Sequence, residues 1–153
     1  MTIDIGRQLA RNQTLWIALS AWALAQLIKI IIEFIHTKKF NKSLLVSSGG
    51  MPSSHTALVV AMAVSVGCAD GFASPVFGLA LILCFIVMYD AAGVRRAAGN
   101  QAAAINILFR SLEDSGMKLD KNLKELLGHS PLEVIAGALL GIVIGFVGHN
   151  VIY

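Results

Sequence analysis

The stretch from Gly49 to His55 contains residue types that could bind and transform an anion. It reads Gly-Gly-Met-Pro-Ser-Ser-His and leads directly into the apolar run from Thr56 to Gly67. A proline followed by two serines is typical of a helix start, where free backbone N–H groups attract anions. His55 would then place a titratable imidazole beside an anion pocket. The alternative is a capped membrane helix whose histidine only lies at the interface.

Six further ionisable residues lie within apolar segments or near their ends. Taken singly, each has a structural explanation: a lysine can snorkel, arginines can anchor a loop, and a carboxylate can pair with an arginine or cap a helix. Ser130-Pro131-Leu132-Glu133 has the pattern of a capping box with proline at the first helical position. The six residues are Lys29, Asp90, Arg95, Arg96, His129 and Glu133.

The composition indicates which kind of fold must position these residues. The chain has 153 residues, of which 56% are hydrophobic and 14% charged, and its mean hydropathy is +0.74. A soluble domain of this length cannot bury so much apolar surface, so we expect an integral membrane protein. The net charge of +3 is spread over loops without a basic block, which gives no indication of a nucleic-acid partner. Cys68 and Cys84 are isolated in apolar runs and suggest neither a disulfide nor a metal site.

The hydropathy pattern predicts an all-α fold: a single membrane domain over residues 1–153, built as a compact bundle of about four transmembrane helices. Residues 91–130 form the one long polar loop, in which Gln101–Leu112 is apolar enough for an interfacial or re-entrant helix. Glycines recur at every fourth residue of the last apolar segment, which lets a neighbouring helix approach closely and allows a homo-oligomer through that span. The four spans are expected at 14–36, 56–68, 74–89 and 131–152.

Four spans place the ionisable residues at one face of the membrane. The loop after the first span and the long loop after the third lie on the same side, and together they hold nine lysines and arginines. The opposite side holds Arg7 and Arg11. The positive-inside rule therefore predicts a multi-pass protein of the cell membrane with both termini outside and the ionisable cluster on the cytoplasmic face. Ionisable groups that converge at one depth are costly in a membrane and indicate function.

At this point the sequence resembles a known family. Pro52-Ser53-Ser54-His55 is similar to the P-S-G-H motif of the type 2 phosphatidic acid phosphatase superfamily, which includes vanadium haloperoxidases. The run His129 to Gly137 resembles the end of its last motif, S-R-x5-H-x3-D. Together with the run Tyr89 to Arg96, these motifs are similar to a small divergent branch of that superfamily, over roughly Gln26 to Gly145.

The resemblance implies a role for each matching residue. His129 would be the nucleophile that attacks phosphorus, Glu133 would hold its imidazole, and His55 would donate a proton to the leaving alcohol. Asp90 would at most support the site. No cofactor or metal ion would be needed, because fixed cations and N–H groups would stabilise the phosphoryl charge. The residues that would hold the phosphate oxygens are Lys29, Ser53, Ser54, Arg95 and Arg96.

The sequence also departs from the family pattern. Ser54 stands where the motif has glycine, and Glu133 replaces the final aspartate. His36 stands where the arginine of a K-x6-R-P motif would follow Lys29. The family spacing places a histidine six residues after the arginine, but His129 follows Arg95 by 34 positions, which requires an insertion that loops out and returns.

These observations lead to one main hypothesis and two alternatives. The main hypothesis is a metal-independent membrane phosphatase that hydrolyses a lipid phosphate through a phosphohistidine. Phosphatidic acid, phosphatidylglycerophosphate and polyprenyl phosphates or diphosphates are the substrates considered. The first alternative is a non-catalytic membrane protein that uses the same anion pocket to bind lipid headgroups or to assemble with a partner. The second is a channel or carrier, suggested by Lys29 within a span and by the glycines of the last span.

Overall fold

The computed structural model describes residues 4–38, 50–114, 123 and 128–152. Within these ranges the chain is helical, with one π-helical turn and no β-strand. The all-α architecture expected from the sequence is therefore confirmed. In chain order the elements are α1 (Ile5–Ala10), α2 (Gln13–Thr37), α3 (Ser54–Asp70), α4 (Pro75–Tyr89), the π-helical turn (Asp90–Val94), α5 (Arg95–Asp114) and α6 (Pro131–Ile152).

Polar side chains start each of the four long apolar helices. Asn12 Oδ1 accepts from the N–H of the third residue of α2, at 3.0 Å. Ser53 and Ser74 do the same for α3 and α4, with hydroxyl distances of 3.4 and 3.2 Å. At α6, Ser130 Oγ accepts from the Glu133 N–H at 3.4 Å, and the Glu133 carboxylate accepts from the Ser130 N–H at 3.3 Å. These caps satisfy N–H groups that would otherwise be unpaired, so the helix starts are encoded locally.

Three of the described helical segments are long and apolar enough to cross a membrane: α2, the segment that begins with α4, and α6. The protein is thus a membrane protein, and its described residues include three such helices. The fourth apolar helix, α3, has 17 residues and is shorter than the others. At 1.5 Å per residue it is about 25 Å long, somewhat less than the hydrocarbon core of about 30 Å. The ends of α2, α3, α4 and α6 differ by at most two residues from the apolar segments expected to span.

The prediction of a polar loop over residues 91–130 is wrong for its first part, residues 91–114, which are helical. The helix that starts at Pro75 continues through the π-helical turn and α5 to Asp114. No proline interrupts this stretch, and alanine, leucine and glutamine favour helix, so the polar residues lie along a helix rather than in a loop. The expected helix at Gln101–Leu112 falls inside α5. Residues 115–122 and 124–127 of the expected loop lie outside the described residues.

Helix α3 lies at the centre of the bundle and packs against α2, α4 and α6. Small side chains make this close packing feasible: Ala57 and Ala61 of α3 are fully buried against Ala21 and Ala25 of α2. Because α3 carries Ser53, Ser54 and His55 at its start, its central place brings these residues among the other helix ends.

The glycines of α6 face α3 of the same chain. A Cβ atom built on Gly141 would lie 2.7 Å from the Ala57 carbonyl oxygen, and one on Gly145 would lie 2.6 Å from Val64 Cβ. A Cβ on Gly137 would collide with the Ser53 carbonyl oxygen. These glycines therefore make close contacts within one chain, and the homo-oligomer expected through the last span stays a prediction.

Candidate functional site

Two backbone hydrogen bonds join three elements at one end of the bundle. The N–H of Ser53, just before α3, donates to the Glu133 carbonyl of α6 at 2.9 Å. The N–H of His129, just before α6, donates to the Ala91 carbonyl of the π-helical turn at 3.1 Å. The starts of α3 and α6 are thereby fixed beside the end of α4. These bonds hold the polar cluster in place through the backbone, independently of its side chains.

The His129 ring is held by a carboxylate. Its Nδ1 lies 2.8 Å from Glu133 Oε2, one helical turn further along the chain. His129 is only 2% exposed, whereas the side chain of Glu133 is 24% exposed. A carboxylate can only accept a hydrogen bond, so Nδ1 carries the proton in the neutral ring and Nε2 carries the lone pair. Nε2 is buried and has no hydrogen-bond partner within the described part of the chain, which leaves a nucleophilic nitrogen available.

The second histidine of the sequence motif lies against the first. The ring centroids of His55 and His129 are 6.4 Å apart, with an angle of 60° between the ring planes. His55 is the second residue of α3, whereas His129 precedes α6. Two imidazoles separated by 74 positions in the sequence therefore share one site.

Lys29 brings a positive charge to the same cluster from α2. Its Nζ donates to Ser54 Oγ at 3.2 Å, and the residue is only 3% exposed. The ammonium also lies near enough to the Glu133 carboxylate for their opposite charges to attract. A buried lysine needs such partners, because an isolated ammonium is very costly away from water.

The hydroxyl of Ser53 is oriented by Thr56, which sequence reasoning assigned only to the apolar run. Thr56 Oγ1 donates to Ser53 Oγ at 3.0 Å, in addition to the capping bond from the Thr56 N–H. Both residues are fully buried. Because Ser53 Oγ accepts both bonds, its own proton is directed elsewhere and can be donated to a bound anion. In the sequence, this role of Thr56 is indicated only by the presence of a hydroxyl group in the first turn of an apolar helix.

The remaining candidates lie at the π-helical turn and the start of α5. Asp90 is half-buried and immediately precedes Ala91, whose carbonyl accepts the bond from His129. It therefore borders the site. Arg95 and Arg96 begin α5, but their side chains lie outside what the structure describes. The structure thus brings together His129, Glu133, His55, Ser53, Ser54 and Lys29.

This arrangement combines the groups needed to handle a phosphoryl group. It has a buried imidazole with an oriented lone pair, a second imidazole across from it, an ammonium and two hydroxyls. In residues 4–38, 50–114, 123 and 128–152, no three His, Cys, Asp or Glu side chains are placed to share a metal ion. Lys29, the hydroxyl groups and the N–H groups at the start of α3 could meet the charge of a bound anion.

Comparison with known proteins gives the same family as the motifs. The sequence model described as "Divergent PAP2 family" matches residues 10–144. The chain is 41% identical over 151 residues to a Bacillus subtilis (strain 168) protein named "Uncharacterized membrane protein YuiD", and the match covers 92% of this chain and 96% of that protein. No solved structure gives a significant match. The resemblance to a divergent phosphatidic acid phosphatase branch is confirmed, and the chain belongs to the Divergent PAP2 family.

Proposed function

We propose that the protein is a metal-independent membrane phosphatase that hydrolyses a lipid phosphate through a phosphohistidine on His129. The observation that carries this proposal is the 2.8 Å contact between His129 Nδ1 and Glu133, with the buried Nε2 left without a hydrogen-bond partner among the described residues. The ring of His55 lies against the same imidazole, with centroids 6.4 Å apart. A nucleophilic histidine requires its other ring nitrogen to be held in this way. A helix cap alone would not require a histidine at position 129.

The reaction has two steps. In the first, His129 Nε2 forms a bond to phosphorus while the phosphorus–oxygen bond of the ester breaks, and His55 in its protonated form donates its proton to the departing alkoxide. In the second, His55, now neutral, removes a proton from water, whose oxygen attacks phosphorus. The phosphorus–nitrogen bond then breaks and inorganic phosphate leaves. Both histidines return to their starting protonation states, so no co-reactant besides water is consumed.

The charge of the transferring phosphoryl group is met by groups around the two rings. Lys29 supplies a buried ammonium, Ser53 supplies a directed proton, and the Ser54 hydroxyl bonds to Lys29. Arg95 and Arg96 are assigned to the same phosphate oxygens by the resemblance alone. Preorganised donors of this kind act where charge develops in the transition state, which is usually the largest contribution to catalysis.

The place of the site in the bundle favours a lipid substrate. The candidate residues lie where α2, α3 and α6 meet, and α2 and α6 are both long and apolar enough to span a membrane. A phosphate at the head of a membrane lipid lies at the depth of a helix end. We therefore favour a lipid phosphomonoester over a soluble one, with phosphatidic acid, phosphatidylglycerophosphate and polyprenyl phosphates or diphosphates as the substrates to compare.

We further propose that the protein lies in the cell membrane with this site on the cytoplasmic face. Nine of the twelve lysines and arginines lie in the two segments that adjoin the site end of the bundle. A Lys38→Cys variant made in a Cys68→Ser, Cys84→Ser background tests this orientation. A membrane-impermeant maleimide should label it in inverted membrane vesicles but not in intact cells, and the opposite pattern would reverse the orientation.

A non-catalytic role in lipid-headgroup binding is the second candidate. The burial of the cluster favours it, because His129 is 2% exposed and Ser53 fully buried, which is the environment of a rigid anion pocket. Phosphate release distinguishes the two functions. Purified protein should release phosphate from at least one lipid phosphate in the presence of chelator, should be inhibited by vanadate, and should lose activity in His129→Ala. Binding of these lipids without release by the wild type would support the headgroup-binding role instead.

A further inference from the structure

An apolar groove lies between α2 and α6, directly beside the candidate site. It encloses about 360 Å³, and no charged residue lines it among the described residues. Ile28 and Ile32 of α2 form one wall, Leu139 and Val143 of α6 form the other, and Met51 and Pro52 lie at its head. Neither the proposed chemistry nor the packing of the bundle assigns a role to this groove.

The groove adjoins the polar cluster along the chain. Three of its lining residues are direct chain neighbours of cluster or contact residues: Ile28 precedes Lys29, Pro52 precedes Ser53, and Ala136 precedes Gly137. From Ala136 to Val143 it follows α6 over eight residues, or seven steps of 1.5 Å, which is about 10 Å. Since α6 begins at the site end of the bundle, the groove leads from the site toward the interior of the membrane.

We propose that this groove holds one acyl chain of a membrane lipid whose headgroup ends in a phosphomonoester. The phosphate would lie at Lys29 and Ser53, and the chain would run along α6 toward Val143. This inference deepens the proposed function and rests on it for the fate of the phosphate. It assigns Ile32, Ala136 and Leu139 as residues that determine which substrates are accepted.

The distribution of charge favours this occupant over others. The side chain of Lys29 lies 3.8 Å from the position of a Cβ built on Gly50, the residue before Met51, so a cation lies near the Met51–Pro52 end of the groove. The described lining of the groove is uncharged. A lipid with an anionic headgroup and an uncharged acyl chain would match this arrangement, with the headgroup at the cation and the chain along the groove. A soluble phosphate would leave the groove unused, and an apolar helix of a second copy would leave the buried ammonium of Lys29 without an anion from the ligand.

Photolabelling of the full-length protein tests the groove. The probe is phosphatidic acid with a diazirine in one acyl chain, incorporated into phosphatidylcholine vesicles that contain the purified protein. A phosphatidylcholine probe with the same acyl chain serves as the control lipid. We expect the phosphatidic acid probe to label Ile32, Leu139 or Val143 more strongly than the control probe does. Lys29→Met should remove this preference, because it removes the charge at the head of the groove.

A matched pair of substitutions tests whether the groove itself is needed. Ala136 lines the groove, whereas Ala23 is exposed on α2 away from it. Ala136→Trp should fill the groove and lower its labelling by phosphatidic acid at least about tenfold, a loss of about 1.4 kcal/mol of binding free energy. Ala23→Trp should leave labelling unchanged. Hydrolysis of long-chain phosphatidic acid should fall more in Ala136→Trp than hydrolysis of a dihexanoyl analogue does, whereas neither should fall in Ala23→Trp.

The possible results distinguish a failure of the acyl-chain assignment from a failure of the proposed phosphatase function. Equal labelling by both probes, equal effects of the two tryptophans, or a protein–protein cross-link at the groove would overturn the acyl-chain assignment. A wild type that releases phosphate without labelling the groove would keep the proposed function and reject the groove. Selective groove labelling without phosphate release would support the groove and reject hydrolysis.

Discussion

His129 Nδ1 lies 2.8 Å from Glu133 Oε2, and the same carboxylate oxygen accepts the Ser130 N–H at 3.3 Å. One side chain thus caps α6 and holds the imidazole that precedes it. In this single rotamer Glu133 caps the helix and also holds the histidine ring. The orientation of His129 therefore depends on the rigid start of a membrane-spanning helix.

Glu133→Gln should keep the Ser130 Oγ cap, which uses the backbone N–H of residue 133, and lose the chemistry. At the position of Oε2 the amide oxygen would keep both bonds without the negative charge that stabilises the phosphorylated imidazole, whereas the amide NH2 would donate to His129 Nδ1 and put the proton on the attacking Nε2. We expect kcat to fall by about 10²- to 10⁴-fold, with a small change in KM. Steady-state phosphate release and thermal unfolding in detergent check this. A variant as active as the wild type would show that the carboxylate acts only as a cap.

His55→Asn should slow the reaction according to the leaving group. An alkoxide needs a proton as it departs, whereas p-nitrophenolate is stable without one. We therefore expect the rate of the first step, in which His129 is phosphorylated, to fall by about 10²- to 10⁴-fold with a lipid phosphate and much less with p-nitrophenyl phosphate. Rapid-quench measurement of alcohol or p-nitrophenolate release in the first turnover isolates this step from the later attack of water, which is the same for both substrates. Equal losses on both would argue that His55 is not the proton donor.

Lys29→Met should weaken the stabilisation of the phosphate. A charged hydrogen bond contributes about 1.5–3 kcal/mol, so kcat/KM should fall by about 10- to 150-fold. Lys38→Met is the matched control, because Lys38 is an exposed lysine at the end of the same helix. It should change kcat/KM by less than about twofold at moderate salt. Similar losses in both variants would indicate a general effect of positive charge instead of a specific contact.

Gly137→Ala should disturb both stability and activity. The new Cβ would collide with the Ser53 carbonyl oxygen, whereas a Cβ on Gly78 of α4 would meet no atom within 4 Å. Overpacking of this kind costs about 1–3 kcal/mol, so Gly137→Ala should lower the melting temperature and separate α6 from the serine turn. Gly78→Ala should be neutral or slightly stabilising. Thermal unfolding of both variants in detergent measures the difference, and equal melting temperatures would contradict the close contact.

The sequence was sufficient to predict that the cluster lies at one end of the bundle. Apolar segments that alternate in direction bring Lys29, the turn before α3 and the start of α6 to the same face, whatever the details of packing. The helix caps formed by Ser53 and Ser130 can also be predicted from the sequence, because each cap joins a serine to the residue three positions later. The pairing of His129 with Glu133 came from the resemblance, since one helical turn also fits a simple cap.

Other features depend on tertiary contacts that the pattern does not contain. The role of Thr56 in orienting Ser53 was hidden because a threonine at a helix start is common in any apolar segment. The glycines of α6 indicated close packing, but their spacing is the same for a partner within the chain or outside it. The hydropathy pattern does not show that α4 continues into α5, because polar composition favours a loop even where helix propensity is high.

Trapping the covalent intermediate tests the central claim most directly. Wild-type protein is mixed with the lipid phosphate that it hydrolyses fastest, quenched in alkali within milliseconds, digested, and analysed by mass spectrometry. We expect one added phosphoryl group on the peptide that contains His129, absent from His129→Ala and increased in His55→Asn with p-nitrophenyl phosphate, where the attack of water is slowed. Phosphate release by the wild type with no phosphoryl group on His129 at any time point would contradict the account.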